Sequence, residues 1–271
     1  MTLLSQQISG YMENASWIRR MFETGNQLKQ QFGEDAVCDF SLGNPDLPAP
    51  PAVAQGMRAL ADKADQPFAF GYMPNAGYPW ARKQLAAHLT TEQHMPPDLP
   101  IDADHVILTC GAAGALNIFF RTVLNEGDEV LSFAPYFVEY GFYVQNHRGI
   151  FHTVPTMPDT FAPDLTALEH AIGPKTKALM INSPNNPTGT VYSRAQLQGI
   201  VEVLTRLSTQ YGHPIWLIAD EPYRFLAFDG VEVPSVLPLY PYAVVVSSFS
   251  KNLSLAGERL GYCILSPHLP E

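Results

Sequence analysis

The strongest constraint on this chain is its rhythm from Pro100 to Val246. Short apolar runs, HVILT (His105–Thr109), DEVLSFA, GIFHTVP, KALMIN, PIWLIAD and YAVVV, alternate with stretches that carry helical spacing or helix caps. Strands buried on both faces read as unbroken apolar runs, and parallel neighbours need a crossover long enough to hold a helix. The pattern therefore predicts an α/β fold, a mostly parallel sheet covered by helices on both faces.

The helical stretches carry their own boundaries. One opens at Gly111 (GAAGALNIFFRTVL), one is expected over Tyr136–Arg148, and one is capped by Asp164. Another starts at the capping box Ser193–Gln196 and runs through Tyr211 to Gly212. Ahead of the alternation, Trp17, Ile18, Met21, Phe22 and Leu28 recur at roughly helical spacing within 16–31. The proline-rich loop DFSLGNPDLPAPP follows, then a helix over Pro51–Lys63 and another whose turns hold Arg82, Leu85, Ala86 and Leu89.

Composition narrows the partners. A chain of 271 residues can bury a sizeable core, and a net charge of -10 disfavours nucleic-acid backbones and anionic membrane surfaces. No run is long enough to span a bilayer, so no membrane partner is expected. The start, MTLLSQQISGYMENASW, lacks a basic region followed by an apolar core, and Cys38, Cys110 and Cys263 are odd in number and far apart. Free thiols in the cytoplasm are the expectation.

In parallel α/β sheets, ligands gather at the carboxyl ends of the strands. Gly111 follows HVILT, Asn186 follows KALMIN, Asp220 ends PIWLIAD, and Ser248 and Lys251 follow YAVVV. In SSFSKNLSLAGERLGY, a partly desolvated Lys251 would be a nucleophilic amine, with Ser248 and Arg259 as anion holders beside it. GAAGAL after a strand offers the amides of Ala112 and Ala113 to a phosphate at a helix N-terminus.

Other chemistries fare worse. Ser248 and Lys251 spell the S-x-x-K of acyl-enzyme formers, yet neither S-D-N nor K-T-G occurs, and none of the twelve tyrosines begins Y-x-N. The eight histidines form no H-x-x-x-H pair and the cysteines no C-x-x-C, so no metal is expected. GxGxxG, a Walker lysine and G-x-S-x-G are all missing.

Seven motifs occur in one order: GNPD (Gly43–Asp46), Y-x-x-x-x-G (Tyr72–Gly77), G-x-x-x-A-L from Gly111, PYF ending at Phe137, NNPTG (Asn185–Gly189), DEPY (Asp220–Tyr223) and SFSK with a downstream ERLG. The ordered set resembles the pyridoxal-phosphate (PLP) aminotransferases of fold type I, class I/II, the aspartate aminotransferase-like group, from about Ser41 onward. The resemblance implies a PLP-transferase large domain over 51–271, and over 1–50 an N-terminal arm with the start of a small α/β domain. In that family the small domain is completed by a segment beyond the position of Glu271, so its C-terminal part is expected to be absent here.

The resemblance also implies roles. Lys251 would hold PLP as an internal aldimine and then shuttle the substrate proton. Asp220 would pair with the pyridinium nitrogen, Asn186 and Tyr223 with the ring oxygen, and Phe137 would stack on the ring. The phosphate would rest at Gly111, Ala112 and Ala113 and on Ser248, Arg259 and Ser250. Many relatives place a hydroxyl or amide side chain where this chain has Ala112 and Ala113, which shifts the load to backbone, Ser248 and Arg259. Gly43 and Asn186 would line the substrate site, and Tyr72 would reach the neighbouring site of a homodimer. The implied reaction moves an amino group between an L-amino acid and a 2-oxo acid. The alternatives are a PLP-dependent C-S lyase of the same fold, or a PLP-binding but catalytically incomplete fragment that lacks the family's carboxylate-clamping arginine and leaves Trp17, Ile18 and Phe22 uncovered.

Overall fold

The computed structural model describes residues 3–14, 17–40 and 43–270. The chain divides into two units, Met1–Asp46 and Leu47–Glu271. The first contains α1 (Gln6–Asn14), α2 (Trp17–Phe32) and a 3₁₀ turn at Glu34–Ala36. Lys29 Nζ meets Asp39 Oδ2 at 2.8 Å and ties the segment after that turn back to α2. The side chains of Trp17, Ile18 and Phe22, expected to be uncovered, lie outside the described residues.

The second unit opens with α3 (Pro51–Ala61) and α4 (Pro79–Glu92), each begun by a proline whose fixed φ suits the first helical position. The alternation then runs β1 (Val106–Cys110), α5 (Gly111–Val123), β2 (Glu129–Ala134), α6 (Tyr140–Gln145), β3 (Ile150–Pro155), α7 (Leu165–Ala171), β4 (Thr176–Asn182), α8 (Arg194–Tyr211), β5 (Trp216–Asp220), β6 (Ala243–Ser248), α9 (Phe249–Asn252) and β7 (Leu260–Leu265). The seven strands form one sheet in the order β1-β7-β6-β5-β4-β2-β3. Only β7 runs antiparallel, and it does so to both neighbours, so β1 points the same way as the other five.

Alternation along each strand sorts side chains between two cores. Val130, Met180, Ile218, Val244 and Val246 pack against Leu116, Phe119 and Phe120 of α5 and Tyr140 and Val144 of α6. Leu131, Leu179, Leu217, Ala219 and Val245 pack on the other face against Leu89 of α4, Leu168 of α7 and Ile200 and Leu204 of α8. This is the expected three-layer arrangement. No described helix is long and apolar enough to cross a membrane.

The caps form as their residue types dictate. Ser193 and Gln196 exchange hydrogen bonds as a capping box, and Gly212 ends α8 at φ 72°. Asp164 accepts from the Ala167 amide at the start of α7. The helix expected over Tyr136–Arg148 is shorter, covering only Tyr140–Gln145. Arg148 sits at φ 61°, a left-handed conformation that cannot continue a helix. A Cβ on Gly149 would lie 2.8 Å from Val144 Cγ1, so the chain there folds tightly back on α6.

Candidate active site

Because six strands share a direction, the ends of β1, β4, β5 and β6 deliver Gly111, Asn182, Asp220 and Ser248 to one edge of the sheet. A cleft of about 220 Å³ opens there. It brings together Ala112, Ala113, Phe137, Asn186, Asp220, Tyr223, Ser248, Ser250, Lys251 and Arg259, all singled out from sequence. Gly111 lies beneath, as the first residue of α5. Tyr72 is outside the cleft and fully exposed, and Gly43 belongs to the Met1–Asp46 unit. Sequence reasoning missed Tyr140, Tyr143 and Asn182, which also line the cleft.

Asp220 sets the electrostatics. Its Oδ2 accepts a 2.6 Å hydrogen bond from Tyr140 Oη, while Oδ1 is buried with no partner among the described residues. Burial pushes this carboxyl up to about 6, the Tyr140 hydrogen bond acts against that rise, and Glu221 adds to it. The Tyr140 phenol is itself driven well above its ordinary value by burial and then by the Asp220 charge, so it stays a donor. A buried acceptor left open costs free energy unless a donor arrives. A cationic N–H entering the cleft would satisfy Oδ1 and hold Asp220 ionised.

The neighbouring residues form a second polar set. Asn182 Nδ2 donates to the Asp220 carbonyl at 2.7 Å, and its Oδ1 accepts from the Asn186 amide at 2.6 Å, which orients the turn after β4. Asn186 Nδ2 then reaches Tyr223 Oη at 3.4 Å. Two donors thus stand together over the cleft. Lys251, half-buried on α9, has its amine lowered below the ordinary value by desolvation, as a nucleophilic amine requires. Phe137 stands edge-on to Tyr140, with ring centroids 5.6 Å apart.

At the mouth of α5 the backbone and a cation converge. The first amides of a helix have no intrahelical partner, and the helix dipole makes that end attractive to anions. A Cβ on Gly111, which has φ +71°, would lie 2.8 Å from Arg259 Nη2, so the guanidinium lies directly over the start of α5. Arg259 adopts φ 54° and donates from Nη1 to the Ala256 carbonyl at 2.9 Å. Gly261 of β7 is as tightly placed, since a Cβ there would fall 2.5 Å from the Gly111 carbonyl carbon. With the hydroxyls of Ser248 and Ser250 beside them, these groups suit a phosphate-sized anion.

Comparison with known proteins agrees with this geometry. The family model for aminotransferase class I and II matches residues 35–270. The chain is 34% identical over 232 residues to a probable aspartate/prephenate aminotransferase of Thermus aquaticus, covering 85% of this chain and 56% of that protein. It is also 34% identical over 238 residues to the aspartate/prephenate aminotransferase of Thermus thermophilus, covering 87% and 57%. The chain thus spans a little over half the length of these relatives. Among solved structures, an amino transferase from Eubacterium rectale matches with a TM-score of 0.92 at 35% identity, over 100% of this chain and 67% of that one. The Thermus thermophilus aspartate aminotransferase with maleate matches at 0.82 and 30% identity, over 98% and 65%. The chain belongs to the aminotransferase class I and II family.

Proposed function

We propose that the protein is a PLP-dependent aminotransferase that moves an amino group between an L-amino acid and a 2-oxo acid, with Lys251 as its reactive amine. The observation that carries this reading is the open, buried Oδ1 of Asp220 in the same cleft as a desolvated lysine. When bound, PLP supplies an electron sink for charge developing at the substrate Cα. The residues divide the remaining work. Asp220 would accept the ring N–H, Tyr223 and Asn186 would donate to the ring oxygen, and Phe137 would cover the ring. The amides of Ala112 and Ala113, with Ser248, Ser250 and Arg259, would hold the phosphate. Lys251 Nζ would hold the cofactor covalently, and its amine would be the base for the substrate Cα proton.

The names of the two Thermus relatives favour dicarboxylic or prephenate-like substrates, with Asn186 at the substrate end. Exposed Tyr72, beside exposed Phe68 and Phe70, is suited to a homodimer in which it reaches the partner's phosphate. The free thiols Cys38, Cys110 and Cys263 fit a reducing cytoplasm. The test is to titrate the protein with PLP, fix the product with borohydride and map the label, then assay L-aspartate with 2-oxoglutarate. A visible band with label on Lys251, and oxaloacetate formation, are the expected results. A label elsewhere, or no band at all, refutes the reading.

A further inference from the structure

Asp220 reaches the α5 and α6 side of the sheet, where Tyr140 meets it, but the next residue turns the other way. Glu221 Oε2 accepts from Gln93 Nε2, just past α4, at 2.8 Å and from Arg224 Nη1 at 3.1 Å. Both side chains of this ion pair are almost fully buried, at 7% exposed for Arg224 and 4% for Glu221. Arg224 uses its other nitrogens on backbone, Nε to the Glu92 carbonyl at 3.2 Å and Nη2 to the Val233 carbonyl at 2.5 Å. Ser235 Oγ closes the set on Gln93 Oε1 at 2.5 Å. The Glu221 backbone is held as well, its amide by the Val246 carbonyl and its carbonyl by Ser247 Oγ.

Between these two fixed residues stands Tyr223. The one hydrogen bond described for its hydroxyl is the 3.4 Å contact with Asn186, near the outer limit for such a bond. So weak a contact cannot itself place the hydroxyl. The turn must do it. We propose that Glu221 and Arg224 are positioning residues: their buried ion pair, locked to the end of α4 and to the Val233–Ser235 segment, fixes the turn that presents Tyr223 to Asn186 and the cleft. The pair acts on the reaction only through Tyr223, and the proposal rests on the functional reading given above. Glu92, Asp220 and Tyr262 are the other titratable groups that bear on the pair or its surroundings.

The test is the pH midpoint at which the PLP-loaded protein changes its visible absorbance. A donor to the ring oxygen stabilises its anionic form, so losing the Tyr223 hydroxyl in Tyr223→Phe raises that midpoint by about half to one pH unit. Arg224→Met is expected to raise it in the same direction. The double variant is expected to go no further than Tyr223→Phe alone, because both changes remove one and the same contact. If Arg224→Met does not fold, Arg224→Lys carries the test. A lysine keeps the charge but not the three-way fork, so its shift must have the same sign and be smaller. A variant that melts earlier but keeps the parent midpoint shows a purely structural pair and overturns the proposal, as do additive shifts in the double variant. A parent protein with no chromophore overturns the functional reading and this proposal together. A normal chromophore in the parent with unshifted variants overturns this proposal alone.

Discussion

Tyr140 Oη donates to Asp220 Oδ2 at 2.6 Å inside the core, so one carboxylate oxygen is fixed while the other is buried with no hydrogen-bond partner among the described residues. A hydrogen bond to a charged group contributes about 1.5–3 kcal/mol, more than one between neutral groups. Tyr140→Phe is therefore expected to destabilise the protein without PLP by about that amount at pH well above 6. Below pH 4 the carboxyl is protonated in either variant and the loss should shrink. Urea unfolding at the two pH values checks this, and an equal loss at both would show that Tyr140 acts by packing alone.

Asp220 gives a second pH signature. Burial raises its folded value to about 6 from the ordinary 3.8, so the native state binds its proton more tightly than the unfolded chain does. Stability from this group is then fully present below 3.8 and falls away as pH rises through 6. Asp220→Asn, neutral throughout, is expected to be more stable than the parent above pH 6, by at most about 3 kcal/mol, and to lose that advantage below 3.8. Adding PLP should reverse the order, because a ring N–H matches the carboxylate and not the amide. Melting curves with and without PLP decide it. A pH-independent difference would count against the buried-charge explanation.

Much of this was legible from the residues. The unbroken apolar runs marked the strands, and the rule that sites follow strand ends singled out Asn186, Asp220, Ser248 and Lys251, which line one cleft. The strand β7 was not seen, because LGYCIL begins inside the ERLG motif itself. Its antiparallel direction depends on pairing with β1 and β6, which no local spacing encodes. Tyr140 falls inside the helix expected over Tyr136–Arg148, and no local pattern says that its hydroxyl meets Asp220, 80 residues further on. Glu221 and Arg224 escaped for a similar reason, since Gln93, which Glu221 accepts from, and Glu92, whose carbonyl Arg224 meets, lie 128 and 132 residues away in sequence.

Lys251 is expected to be the one residue that carries PLP covalently. Its amine is lowered by burial at the cleft. Lys175 and Lys177 lie at the start of β4, the end of that strand away from Asn182, and cannot reach the cleft edge. Lys251→Ala should lose the visible band and the borohydride-fixed label while folding normally. Label appearing on Lys175 or Lys177 in the parent protein would sink the assignment.

The anion cradle depends on a glycine that touches no ligand. Gly261 sits in β7 opposite both Thr109 and Ser248, and an added Cβ would lie 2.5 Å from the Gly111 carbonyl carbon and 2.8 Å from the Ala112 amide nitrogen. The three atoms nearest to it are all backbone, so no side chain can simply rotate away. The first turn of α5 must shift, and with it the amides that the phosphate would use. Overpacking of this kind costs about 1–3 kcal/mol. Because each 1.4 kcal/mol is tenfold in affinity, Gly261→Ala should weaken PLP binding by roughly 10- to 100-fold. Gly56→Ala on α3, where a Cβ meets nothing within 4 Å, serves as the control and should bind PLP like the parent. Fluorescence titration with PLP, alongside competition by inorganic phosphate, measures both variants. If Gly261→Ala binds PLP and phosphate as tightly as the parent, the helix start is not where the anion rests.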